Sequence, residues 1–362
     1  MGSVTRIDIS PDSKYIALAM QGGIIKLYSL KSGVFYKELR ANNGRIWSVK
    51  YSDDGKYLIS GGRDFVEYKG DDGLITIWDT STWDTLKTIR IDYYDGNIFT
   101  TISHDNKYLA YSLAQKGIEI IDFNTGKLFK KFLPFPAGYG ERQMPNCLDF
   151  SKDGRYIAVS AQFNPGRLID IQNNSDAIVD NCNEWSFAVA ISNDGTKFVS
   201  GCEDNPPNNG INIYDIPTKS NLGKIQSAGR VWDISISPNN LFLAIGSDND
   251  DPITIWDINN AKVIATAKFG CRYSRFSPDS NYIVISDYNK LTLINLKKIT
   301  DVQENGQDLE FRISPNPATD FIEISVKANG RSPLQSDVRI YNLLGEIPVS
   351  YTHLTLPTKR IV

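Results

Sequence analysis

The chain has 362 residues, 41% of them hydrophobic and 22% charged, with a formal net charge of −3 and an isoelectric point near 5.6. That composition suits a packed core rather than wholesale disorder, and its slight acidity offers no basic field for a phosphate backbone, so nucleic acid is not an expected partner. No run approaches the roughly 18 consecutive apolar residues of a membrane span, and the opening Met1-Gly2-Ser3-Val4-Thr5-Arg6-Ile7 has neither the basic start nor the apolar middle of a secretory signal.

Along the chain a strand-like run ends in Ser, a turn follows, and an aromatic opens the next strand: Ile7-Asp8-Ile9-Ser10-Pro11-Asp12-Ser13-Lys14-Tyr15-Ile16-Ala17. The phrase returns at Ser52, Ser103, Ser151, Ser192, Ser237 and Ser277, at intervals of 42, 51, 48, 41, 45 and 40 residues. A four-stranded propeller blade takes ~40 to 45 residues. Two-residue hairpin turns with positive φ are predicted at Asp54-Gly55, Asp153-Gly154 and Asp194-Gly195, with Asp105-Asn106 and Asn239-Asn240 in the same role.

Third strands alternate strictly, as in Leu74 to Asp79, Ile211 to Asp215 and Ile253 to Asp257, and Ile24 to Tyr28, Ile118 to Asp122, Leu168 to Asp170 and Leu291 to Asn295 fill the same slot. That alternation assigns Trp78 and Trp256 to packing between blades. Fourth strands are legible at Val34 to Leu39, Thr85 to Ile89, Leu128 to Phe132 and Val263 to Phe269. Seven first-to-third sets but only six fourth strands emerge, so the last blade is expected to have an open edge. The strand to close it is expected upstream, on a longer product that carries a signal peptide.

These motifs resemble the WD-repeat family, whose first hairpin reads Ser-Pro-Asp-Gly-Lys and whose third strand ends in Trp-Asp, over about residues 4 to 296. The resemblance implies an all-β, seven-bladed β-propeller over residues 1–298. The family's Gly-His dipeptide is missing, and with His104 and His353 as the two histidines its hydrogen-bond tetrad cannot form, which points to a divergent bacterial type.

A polar linker is read over 299–309. Beyond it, Ile313-Ser314-Pro315-Asn316-Pro317 and Tyr341-Asn342-Leu343-Leu344-Gly345 resemble the C-terminal sorting domain of type IX secretion. That implies a partial, Ig-like β-sandwich over 310–349, the type IX secretion machinery as a partner, and a secreted or cell-surface location in Bacteroidota-type bacteria. Residues 350–362 fit no strand of such a sandwich and read as a non-native tail, translated adapter sequence joined to a truncated frame.

Cys147, Cys182, Cys202 and Cys271 have no metal-ligand spacing and are expected as buried, reduced thiols, with pairing left as the alternative. Asp71-Asp72, Glu203-Asp204 and Asp248-Asn249-Asp250-Asp251 do not follow a calcium-loop spacing and are read as solvated loop acids. No nucleophile elbow, phosphate loop or metal-binding His pair is present, so no catalytic residue, cofactor or metal is assigned.

The candidate site is the rim that carries the long connections, Gly61 to Gly73, Leu133 to Pro145 and Gly201 to Gly210. Arg63, Phe65, Tyr68, Tyr139 and Arg142 lie in them, and Arg45, Trp47, Phe187, Arg230 and Trp232 open first strands nearby. Aromatic and arginine side chains are common interface anchors, so these ten are the predicted binding rim for a protein or glycan. Packing of Trp47, Phe187 and Trp232 between blades is the competing reading. An enzyme acting on carbohydrate or peptide at the channel mouth is the alternative function, and an intracellular scaffold is a third reading that the sorting motifs oppose.

Overall fold

In the computed structural model the described residues are 3–66, 70–91, 97–113, 116–132, 145–161, 164–180, 182, 185–203, 210–226, 230–247, 252–259, 262–286 and 290–296, with strands at 309–315, 322–328 and 338–342. Short runs rich in Val, Ile and Tyr, punctuated by Ser-x-Asp turns, form seven sheets whose first four strands, or three in the last blade, are antiparallel. Blade one holds β1 (Val4–Ile9), β2 (Tyr15–Met20), β3 (Ile24–Ser29) and β4 (Phe35–Arg40). Blade two holds β5 (Arg45–Tyr51), β6 (Tyr57–Val66), β7 (Gly70–Asp79) and β8 (Thr85–Ile91). Blade three holds β9 (Thr100–Ile102), β10 (Tyr108–Leu113), β11 (Gly117–Asp122) and β12 (Leu128–Phe132).

Blade four follows with β13 (Pro145–Phe150), β14 (Tyr156–Ala161), β15 (Asn164–Asp170) and β16 (Ser175–Val179). Blade five has β17 (Trp185–Ile191), β18 (Lys197–Glu203), β19 (Gly210–Asp215) and β20 (Ser220–Ile225). Blade six has β21 (Val231–Ile236), β22 (Phe242–Ser247), β23 (Pro252–Asp257) and β24 (Lys262–Gly270). Blade seven opens with β25 (Tyr273–Phe276), β26 (Tyr282–Ser286) and β27 (Lys290–Asn295).

The core lies between blades. Ala17, Ile25, Leu27 and Leu39 of blade one meet Ile46, Leu58 and Trp78 of blade two, and corresponding clusters join blades two to three, three to four, four to five and five to six. Val4, Ile7 and Leu18 pack against Tyr273, Val284 and Leu291 of blade seven, which closes the ring. Second strands are therefore buried on both faces, whereas β4 is exposed except at Leu39 and, partly, Lys37. Trp78 is 2% exposed in its cluster, and Trp256 is partly buried against its own.

Six fourth strands lie where the alternation predicts. The seventh place is filled by β30 (Val338–Asn342), antiparallel to β27 from Lys290↔Asn342 to Ile294↔Val338. The open edge expected from the sequence is thus closed by a strand from downstream. A sheet edge needs only backbone partners in register, so chain order does not decide which strand supplies them. β28 (Leu309–Pro315) adds to β24 through the pair Ala267↔Phe311, and β29 (Ile322–Ala328) pairs with β28.

The first hairpins correct the predicted turn. One residue per turn has positive φ, not two: Ser13, Gly55, Asn106, Gly154, Gly195, Asn240 and Ser280. In blade one the Ser10 amide bonds to the Tyr15 carbonyl, Tyr15 N–H donates to Ser10 Oγ at 2.8 Å, and Ser10 Oγ–H donates to Asp12 Oδ1 at 2.7 Å. The Ser and Asp of the repeated phrase are thus a side-chain clasp on a four-residue loop. The same clasp recurs at Ser52, Ser103, Ser151, Ser192, Ser237 and Ser277, with Asn239 replacing Asp after Ser237.

The cysteines correct the second expectation. Cys182 and Cys202 form a disulfide, and neither Cys147 nor Cys271 takes part in one. A separation of 20 residues hides the pair in sequence, because the first hairpin of blade five is what brings the two together. Among the described residues no group of three or more His, Cys, Asp or Glu is placed to hold a metal, and no helix is long and apolar enough to cross a membrane.

Candidate functional site

The mouth that carries the long loops is built by irregularity in the first strands. Register shifts fall between Ile46 and Ser48, Ser186 and Ala188, and Val231 and Asp233, which makes Trp47, Phe187 and Trp232 the extra residues of β-bulges. A bulge re-aims a side chain that strict alternation would send into the blade. Close backbone approach serves the same end. A Cβ on Gly44 or Gly62 would run into the carbonyl of Arg63 or Arg45, so these glycines let the strand ends carrying both arginines pack together.

The side chains then meet one another across blades. Arg45 lies over Trp47, 4.7 Å from its centroid, and Trp47 is 5.9 Å from Phe99 of blade three. Arg6 lies over Phe99 and over Tyr273 of blade seven, at 5.7 and 5.0 Å, and donates from Nη2 to the Asn146 carbonyl of blade four at 3.1 Å. Arg272 lies over Tyr273 at 5.8 Å and over Trp232 at 4.0 Å. Arg230 lies over Trp232, Phe187 and Trp185, at 5.2, 5.1 and 5.4 Å, and is held by Glu203 through Nη2–Oε1 at 2.8 Å and Nε–Oε2 at 2.6 Å. Phe187 sits 5.3 Å from Trp185 and 4.7 Å from Trp232.

Arginines and aromatics alternate in this way around the mouth from blade two to blade five, through blades three, one, seven and six. Each guanidinium over a ring contributes about 0.5 to 2 kcal/mol, depending on desolvation. Arg63 extends the set over Phe65 at 5.6 Å, and Phe65 is 58% exposed.

Of the ten predicted rim residues the structure brings together Arg45, Trp47, Phe187, Arg230 and Trp232, with Arg63 and Phe65 beside them. Phe187 is buried under its neighbours. Tyr68, Tyr139 and Arg142 lie outside the described residues. Sequence reasoning missed Arg6, Phe99, Trp185, Arg272 and Tyr273. The available signal was that each falls just before or within a first strand, at the level of Arg45 to Trp47. The Cys182–Cys202 disulfide ties the chain before Trp185 to the strand that ends in Glu203, and so fixes this part of the mouth.

Below Arg6 a cavity of about 370 Å3 follows the axis to Pro11, Pro238 and Pro278 on the opposite rim. Of the four carboxylates that line it, three are taken up by the neighbouring blade: Asp8 accepts Tyr51 N–H at 2.7 Å, Asp149 accepts Ile191 N–H at 3.1 Å, and Asp233 accepts Ser274 N–H at 2.9 Å. These groups hold blades in place. At the far rim His104 bridges Asp53, at 2.6 Å, and the Phe150 carbonyl, at 3.3 Å. Burial works to raise the Asp53 carboxyl, but the His104 contact together with Lys50 and Lys152 outweighs it and holds the group below its ordinary value. Of the loop acids, Asp72 is bridged to Arg90 at 3.1 Å and Glu203 to Arg230, while Asp204 and 248–251 lie outside the described residues.

Residues 33–79 match the family model for the WD domain, G-beta repeat. The chain is a seven-bladed propeller carrying a WD repeat. The β-propeller domain of Cps50 (Swd1) from Myceliophteria thermophila superposes on the propeller with a TM-score of 0.66 at 12% identity, covering 79% of this chain and 93% of that one. This likeness bears on the fold alone. Relatives in sequence are the p21-activated protein kinase-interacting protein 1-like proteins of Danio rerio, 23% identical over 309 residues, and of Gallus gallus, 22% identical over 304 residues. The alignments take in 83% and 81% of this chain but 66% and 64% of those proteins, so the propeller spans just under two thirds of their length. WD repeat-containing protein 3 of Mus musculus is 27% identical over 124 residues, 33% of this chain and 13% of that protein. All three relatives are eukaryotic.

Proposed function

We propose that the propeller is a non-catalytic binding module whose loop-bearing mouth recognises a protein partner. The observation that carries this reading is the alternation of arginine and aromatic side chains across blades at that mouth, a composition typical of interface anchors. A glycan fits less well. Sugars stack on open ring faces, whereas Phe99, Phe187 and Tyr273 are each under 10% exposed and Trp47 and Trp232 are overlaid by guanidiniums. Catalysis at the channel is disfavoured because Asp8, Asp149 and Asp233 are already engaged by backbone amides. The relatives named for interaction with a kinase are consistent with a scaffold role.

We place the protein outside the cytoplasm, exported in a Bacteroidota-type bacterium through type IX sorting motifs within residues 310–349, whose strands β28 to β30 add to blades six and seven. The support is the Pro315-Asn316-Pro317 and Tyr341-Asn342 motifs, together with the disulfide, a bond characteristic of oxidising compartments. The test is affinity capture from the extracellular and surface fractions of the source cells on immobilised full chain, compared with the W47A/W232A double variant. Protease-sensitive capture that the variant loses is expected. Equal capture by both proteins, or capture abolished only by glycosidases, would overturn the reading.

A further inference from the structure

Blades four and five pack through an apolar layer that includes Ala158, Leu168, Ile178, Val189 and Phe198. Nearer the loop-bearing mouth the same runs of chain carry Ser160, Gly166, Asp180 and Ser200, and Ser186 joins them from β17. Between blades one and two the equivalent places hold Ala19, Ile25, Leu39 and Ile46, with Ser60 as the one polar residue. A polar layer has replaced an apolar one.

Asp180 and the three serines are all buried. Asp180 Oδ1 accepts the Cys182 N–H at 2.9 Å, but Asp180 Oδ2 and the hydroxyl oxygens of Ser160, Ser186 and Ser200 have no hydrogen-bond partner among the described residues. Ser200 stands close enough to favour the ionised carboxyl yet outside hydrogen-bond geometry, and Lys224 acts on it through its charge. Gly166 keeps the space between these groups clear. A Cβ there would come within 2.8 Å of Asp180 Oδ2 and of Ser200 Cβ, and within 3.3 Å of Ser186 Oγ.

A buried carboxylate is stable only when paired, and hydroxyl and carboxylate oxygens are the ligands that hard cations take. One carboxylate calls for one positive charge. Calcium takes roughly six to eight oxygens, more than this set offers. The four oxygens are closed off from solvent, so a small bare ion fits where a large one does not. We propose that blades four and five bind a sodium-sized monovalent cation here, held by Asp180 Oδ2 and the hydroxyl oxygens of Ser186 and Ser200, with Ser160 completing the set. Ser186 pairs with Cys202 of the disulfide, so the ion ties the two blades together one layer beneath the mouth. The inference is independent of what the mouth binds.

The experiment is thermal unfolding of the oxidised full chain at about pH 8, in sodium, potassium or choline chloride at equal ionic strength, beside sodium-nucleus NMR. Sodium is expected to raise Tm by about 2 °C over choline, saturably, with potassium weaker. The NMR line should broaden and saturate over the same range. Asp180→Asn is expected to abolish both responses. In choline the same variant is expected to melt above the wild type, since there the carboxylate has no counter-ion. Ser200→Ala should raise the half-saturating sodium concentration about fivefold to tenfold, and Asp54→Asn on the turn-bearing rim should leave it unchanged.

Equal melting in sodium and choline, a sodium response that Asp180→Asn retains, or a gain from Asp180→Asn that is the same in both salts would each overturn the inference. A response to calcium in place of sodium, lost in Asp180→Asn, would overturn the assignment to a monovalent ion.

Discussion

The two rims of the propeller use side chains in opposite ways. At the turn-bearing rim each Ser and its Asp or Asn serve their own hairpin, seven times over, and the Ser oxygen meets the amide five residues on at 2.8 to 2.9 Å in every blade. At the loop-bearing mouth the Arg-x-Trp of blade two recurs in blade six, but side chains reach to different blades: Arg6 from one to three, four and seven, Arg230 from six to five. A local device can be copied with the repeat, whereas a surface that recognises one partner must differ from blade to blade. The first rim therefore reports how the fold is held, and the second is where the proposed binding role resides.

Perturbing each rim sharpens the contrast. The largest effect is expected at the mouth, where Cys182→Ser opens a crosslink spanning 20 residues and costs about 3 kcal/mol, read from denaturant unfolding of oxidised protein. The same variant should weaken partner capture, because the segment before Trp185 loses its tether.

Asp180, two residues from that disulfide, works with the opposite sign. Burial pushes its carboxyl up to about 6 against the pull of the Cys182 amide. An acid whose folded value is raised costs stability as pH climbs from the unfolded value near 3.9 to about 6. Asp180→Asn should therefore gain about 2 kcal/mol at pH 8 and almost nothing at pH 4. A constant gain across that range would show that the carboxyl does not titrate there.

Between the rims, Asp8→Ala leaves the buried Tyr51 amide without its acceptor and should cost about 2 kcal/mol. The smallest expected losses are at the turns. Ser52→Ala and Ser151→Ala should each cost about 1 kcal/mol, add when combined, and leave partner capture unchanged. The turn carboxylates share a pH signature. Burial works to raise Asp12, Asp54, Asp105 and Asp194, but their Ser hydroxyls and the following amides outweigh it and hold all four below the ordinary carboxylate value. Acids depressed on folding stabilise above about pH 4 and lose that contribution as pH falls through the folded values. Thermal unfolding scanned below pH 4 should show this, and Asp54→Asn should flatten its share.

Much of the site was legible in single residues and little of it in their arrangement. Arg45, Trp47, Arg230 and Trp232 stood out as large side chains at strand starts, where a regular strand has no need of them. Arg6 and Tyr273 did not stand out, since an arginine near the terminus and a tyrosine opening a short strand look ordinary until blades one and seven come together. Phe187 was predicted at the rim, but Trp185 looks ordinary until its ring is found 5.3 Å from Phe187, with Trp232 on the other side.

The sequence by itself determined the seven-fold period, the strands and the Ser-x-Asp turns, because each depends on neighbours within one hairpin or one blade, and strand alternation was enough to send Trp78 into the space between blades. Tertiary structure decided which strand completes blade seven, which two cysteines pair, and how arginines from blades one, six and seven come to lie on aromatics of other blades. The cysteine pair depends on the register of the first hairpin of blade five, and the other two outcomes on contacts between blades and on the pairing of β27 with β30, across distances in the chain that no local pattern encodes.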